Sequence, residues 1–238
     1  MQITMRTMTT DEAWDFILGT YENFQKTLKN FGYTKTRFVP GAIGEMFDKE
    51  NLTEQEIEKY RDVFVNKVYD VKHLQKFDDV FEKKVKPNLE RGINKFLVPL
   101  IPSWNAIMPK RVEILCAYGN GAGYWRISDD VARIYFRMTD FQGNEYGMFN
   151  VLFHEFVHLL IEKPIIQKYN VPQDLKECIV DLICYEFIKK PVQELFENSF
   201  ANKYITPKTI KTDLPGAVQK MMADYSVLQQ SRQNQKGF

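Results

Sequence analysis

Residues Phe149–Pro164 read FNVLFHEFVHLLIEKP. From Val151 to Ile161 every residue but three is apolar, the composition of a helix buried inside a domain. Into that run are set His154, Glu155 and His158. Two imidazoles and a carboxylate buried without partners cost several kcal/mol, roughly, so something must compensate them. On a helix, residues four apart share a face, and His154 and His158 can each turn a ring nitrogen toward one cation. Glu155 lies about 100° round the helix from His154. There its carboxylate can sit beside a metal without ligating it and can take a proton from water. The pattern HExxH therefore predicts a Zn²⁺ site with Glu155 as general base. The chain has only three histidines, and two of them fall at this spacing.

Catalytic zinc usually has three protein ligands and one open position. The stretch Asp174–Asp181, DLKECIVD, offers the third. Pro172 suits the first turn of a helix through QDLKECIVDLICYEFIKK, on which Glu177 and Asp181 share a face. Asp181 is embedded in CIVDLIC, where an unpaired charge is costly. An imidazole N–H from a metal-binding histidine would satisfy it.

HEFVH, eighteen intervening residues and then ECIVD resemble the gluzincin group of zinc metallopeptidases. The resemblance spans roughly residues 111–190. It implies that His154, His158 and Glu177 ligate zinc, that Glu155 is the base, and that Asp181 is the hydrogen-bond partner of His154. It also implies a sheet ahead of the active-site helix, with an edge strand that pairs with substrate backbone. GAGYWRI (Gly121–Ile127) followed by ARIYFRM (Ala132–Met138) resembles that order. The expected activity is hydrolysis of peptide bonds, with a peptide or protein as substrate. Members of the group also use a Tyr or His from the C-terminal region to steady the oxyanion. No histidine follows His158, which leaves Tyr204 and Tyr225 as candidates. Each is also what a half-buried tyrosine among helices would be.

Two other readings compete. One is a zinc-binding or sensor protein without turnover, against which the intact Glu155 argues. The other is a deformylase-like amide hydrolase with Cys116 as third ligand. Cys116 sits in EILCAYGNG, without the motifs that accompany those enzymes. Cys178 and Cys184 read as helix core.

The remainder of the chain sets the frame. At 238 residues, with 44% hydrophobic and 26% charged residues, it has the composition of a globular domain with ample core. A net charge of +1 gives no field favouring nucleic acid or an anionic membrane. The run EKKVKP (Glu82–Pro87) reads as a solvated helix face. The N-terminus does not read as a signal peptide, no run is long enough to span a membrane, and three widely spaced cysteines suggest thiols; a cytoplasmic protein is expected.

Residues 1–110 read as a helical N-terminal region. One helix is expected over Thr10–Phe31, a second behind the Thr53/Glu56 capping-box pattern, and a third over His73–Leu97. His73 reads as a surface residue. Pro99, Pro102 and Pro109 mark a boundary, since proline cannot continue a helix. Residues 111–238 read as a zincin-like catalytic region. In it RVEILCAY, YWRI and ARIYFRM are strands, with turns at GNGAG and TDFQGNEYG, and helices follow. The expected class is α+β, with a small, mostly antiparallel sheet ending in an exposed edge strand.

Overall fold

The computed structural model describes residues 1–26, 41–117, 122–137, 145–190 and 200–236, with backbone only for 73, 117, 122, 124–126, 137 and 229–236. The end of the first expected helix, most of the GNGAG and TDFQGNEYG turns and the side chain of His73 lie outside the described residues.

The sheet has four strands: β1 (Gln2–Thr7), β2 (Arg111–Ala117), β3 (Ala122–Arg126) and β4 (Val131–Arg137). Their order across the sheet is β1-β2-β4-β3. This corrects the expectation of a mostly antiparallel sheet. β1 runs parallel to β2, and β2 runs parallel to β4; only β3 runs antiparallel to its neighbour β4. The sequence neighbours β2 and β3 do not form a hairpin, because β4 is inserted between them. The N-terminal region is also not wholly helical, since Gln2–Thr7 forms β1 and joins the sheet across the expected boundary.

The physical reason lies in β2, which is buried on both faces, as parallel strands are. Val112, Ile114 and Cys116 face one core with Ile3 of β1 and Ala132, Ile134 and Phe136 of β4. Leu115 faces a second core, formed by the helices α1 (Thr10–Lys26) and α2 (Glu54–Lys67) and the 3-10 stretch Gly41–Asp48. Helices therefore cover both sides of a mainly parallel sheet. The second face also carries a charged ladder. Arg6 of β1 grips Glu12 with two hydrogen bonds of 2.7 Å, and Arg6 and Arg133 hold the two oxygens of Glu113 at 3.0 and 2.8 Å.

Between α2 and β2 the chain is one interrupted helical run. It comprises α3 (Val71–Val80), a π turn (Phe81–Val85), α4 (Lys86–Gly92), a second π turn (Ile93–Leu97), a 3-10 turn (Val98–Leu100) and α5 (Ile101–Trp104). The expected stop at Pro99 and Pro102 is thus not a stop. Each proline, like Pro87, stands at the start of a restarted segment, where its missing N–H is not needed. The run ends at Asn105, whose left-handed φ of 53° turns the chain out. Fully buried Trp104 donates its indole N–H to the Ile210 carbonyl at 2.8 Å, tying the run to the C-terminal helices α8 (Pro207–Thr212) and α9 (Leu214–Lys236). The Thr53/Glu56 capping box at the start of α2 is formed as the sequence suggests.

Two further helices are described, α6 (Glu145–Ile161) and α7 (Gln173–Ile188). α6 lies against β3, β4, α4 and α7, so it is buried nearly all round. From Leu152 to Ile161 only His154 is not fully buried. Among the described residues no helix is long and apolar enough to cross a membrane.

The ladder makes an acid-stability prediction. Arg6, and then the Thr9 backbone N–H, hold the Glu12 carboxyl down from 4.5 to about 2. Its contribution is therefore present above pH 4.5 and lost as pH falls toward 2. Glu12→Gln is expected to lower the urea midpoint near neutral pH and to shrink the fall in midpoint between pH 5 and pH 2. An acid limb identical to that of the parent chain contradicts this role.

Candidate metal centre

His154 and His158 lie on α6, and Glu177 and Asp181 lie one turn apart on α7, which packs against it. Pro172 is the residue immediately before α7. One atom from each of three residues converges. The Nε2 atoms of His154 and His158 are 3.0 Å apart, and Glu177 Oε2 lies 3.3 Å from the first and 3.2 Å from the second. These three residues form a group of donors able to share one ion.

The separations test whether zinc fits. Bonds of about 2.0–2.1 Å directed to the corners of a tetrahedron set those corners about 3.3–3.4 Å apart. The three observed edges, 3.0, 3.2 and 3.3 Å, fall at or slightly inside that value. The donor set, two imidazoles and a carboxylate, also has the chemistry of a catalytic zinc site with one position left open. The residues fit the ion.

Partners hold two of the donors in place. Glu177 turns its other oxygen, Oε1, to the side-chain amide of Gln173, which donates at 2.7 Å. Asp181 places Oδ1 3.3 Å from His154 Nδ1, the nitrogen facing away from the cluster. Two residues join them, Lys190, which carries no expectation from the sequence, and Cys184, which read as helix core. Lys190 Nζ is 2.8 Å from His154 Nδ1 and 2.9 Å from Asp181 Oδ1, and Cys184 lies beside the same ring and favours its charged form. Cys184 had a signal, since it follows Glu177 by seven residues and Asp181 by three, one face of a helix. Lys190 had none, because it lies beyond the end of α7. Its reach depends on Lys189, whose left-handed φ of 57° folds the chain back.

The electrostatics of the cluster favour positive charge. Burial opposes the His154 imidazolium, but its interactions with the acceptors Asp181, Cys184 and Glu177 outweigh this and raise its pKa well above the ordinary value. Burial pushes Glu177 up, yet the two histidines more than reverse this and hold it far below the usual carboxylate range. Asp181 is likewise raised by burial and then lowered further by His154 and Lys190. Glu155 behaves differently. It is buried, it makes no hydrogen bond or ion pair with the described residues, and desolvation raises its pKa despite the nearby histidines.

The remaining candidates fall outside the cluster. Cys116 is fully buried in the sheet core and is not among the converging donors. Tyr204 gives its hydroxyl to Asp224 at 2.6 Å, and Tyr225 stacks at a tilt on Phe200, so both belong to the packing of the C-terminal helices.

Compared with known protein families, with curated proteins and with solved structures, the chain matches none of them. The metal centre therefore stands on its geometry.

Three variants rank the roles in zinc affinity. Glu177→Ala removes a donor and is expected to weaken binding by more than about 100-fold. Asp181→Ala frees the His154 ring and is expected to weaken it by about 10–100-fold. Cys116→Ser should leave it unchanged. Competitive titration against a chromophoric chelator reads all three, and a ranking with Cys116→Ser as the weakest binder overturns the assignment.

Proposed function

We propose that this protein is a zinc-dependent metallopeptidase. The reading rests on one observation, the convergence of His154, His158 and Glu177 with the buried Glu155 carboxylate on the same helix. A zinc ion held by the three donors would supply a Lewis acid that polarises a carbonyl and makes water nucleophilic near neutral pH.

The chain's own residues carry the proton chemistry. Glu155 accepts a proton as water adds to the peptide carbonyl carbon. It returns that proton to the amine nitrogen as the C–N bond breaks, leaving a carboxylic acid and an amine, which exchange one further proton to become carboxylate and ammonium. A base for this work needs a pKa closer to neutrality than that of an ordinary carboxyl, and burial moves Glu155 in that direction. Asp181 and Gln173 orient His154 and Glu177, so that the donors need not reorganise during turnover.

The sheet supports a peptide as substrate. β3 packs against α6 and pairs with β4 on one side. Among the described residues no strand pairs with its outer side, an edge to which an extended peptide can add main-chain hydrogen bonds. A protein that held zinc without turnover would have no use for a carboxylate kept buried beside the donors.

Glu155→Gln separates binding from chemistry. It is expected to retain about one zinc per chain and to lose cleavage of a mixed peptide library by at least about 100-fold. His154→Ala should lose both. Near-normal turnover in Glu155→Gln would show that another group is the base.

A further inference from the structure

We propose that Lys190 sets how tightly the centre holds its cation, by placing a fixed positive charge behind a ligand ring and sharing that ring's carboxylate partner. The inference rests on the metal reading above and concerns a residue to which that reading gives no role.

The geometry is a three-way contact at one oxygen and one nitrogen. Asp181 Oδ1 is 2.9 Å from Lys190 Nζ and 3.3 Å from His154 Nδ1, and the same Nζ is 2.8 Å from Nδ1. The carboxylate's closer partner is therefore the ammonium. An ammonium can only donate and a carboxylate can only accept. A histidine that offers Nε2 to a cation carries its proton on Nδ1, and that N–H needs an acceptor. At 2.8 Å the ammonium of Lys190 can donate only to an Nδ1 that carries no proton, so it opposes the Nδ1–H form that binding at Nε2 requires. Binding a cation at Nε2 draws Nδ1–H toward Asp181, and the ammonium must give way.

Charge acts in the same direction. Two carboxylates contact the histidines, Glu177 both of them and Asp181 His154 alone, and Lys190 offsets the second. It is only a quarter exposed, so water screens it incompletely. A divalent ion entering on the far side of the imidazole meets a positive charge already in place. Lys190 is in this sense a positioning residue, acting on the ion through Asp181 and His154. It keeps the site from binding as tightly as its carboxylates alone would.

Two substitutions distinguish charge from mere scaffolding. Lys190→Met removes both charge and hydrogen bond, and Lys190→Gln removes the charge but keeps an N–H for Asp181. Both are expected to bind Zn²⁺ at least ~10-fold more tightly than the parent in chelator competition, and Lys190→Arg to restore parental affinity. A purely structural role would give the opposite, with weaker binding in Lys190→Met and near-parental binding in Lys190→Gln. Affinity unchanged or weakened in Lys190→Gln overturns the proposal, whatever Lys190→Met does. If the parent chain itself takes up no zinc, the metal reading fails and this inference falls with it. If the parent binds and Lys190→Gln is no tighter, only the inference fails.

Discussion

Three atoms able to bind a cation, two imidazole nitrogens and one carboxylate oxygen, meet within 3.3 Å of one another in a mostly buried place. Such a meeting is stable only around positive charge. A proton can meet part of the demand, as the raised His154 pKa indicates, but it bridges two atoms at a time. A tetrahedral cation satisfies all three at once and leaves a fourth direction for substrate or water. The surrounding fold can be understood as the means of keeping these donors together.

Most of that work is done by packing. α6 is held by the sheet on one side and by α4 and α7 on others, so the two histidines have little freedom to turn. The mainly parallel sheet puts Val112, Ile114, Cys116, Ile134 and Phe136 into the core that α6 and α7 share. Each large apolar side chain fully buried there contributes about 1.5–3 kcal/mol. The Trp104 bond to Ile210 links the N-terminal helical run to the C-terminal helices, so distant parts of the chain support one core. Glu155 bears a cost of that packing, as a buried carboxylate without a hydrogen-bond partner among the described residues.

The site was more legible in the sequence than the sheet was. The i, i+4 spacing fixes which residues share a helix face, and acids or imidazoles inside an apolar run demand compensation, so His154, His158, Glu177 and Asp181 could be named together. Strand order has no such local signature. Val112–Cys116 carries apolar residues on both faces, the mark of an interior strand, but that mark does not say which strands lie beside it or in which direction they run. β4 satisfies the same alternation in either position, and only burial on both sides of β2 decides. β1 escaped notice because Gln2–Thr7 alternates a polar set with only Ile3 and Met5. Lys190 depended on a left-handed backbone at Lys189, where no glycine marked the turn.

The most direct test of the central claim is X-ray absorption at the zinc edge of the metal-loaded chain. Two imidazoles and one carboxylate predict a first coordination shell made only of nitrogen and oxygen at about 2.0–2.1 Å, with the outer scattering of histidine rings. A sulfur contribution near 2.3 Å would place Cys116 or Cys184 on the metal. Either that result, or failure of the chain to take up zinc, would contradict the account given by His154, His158 and Glu177.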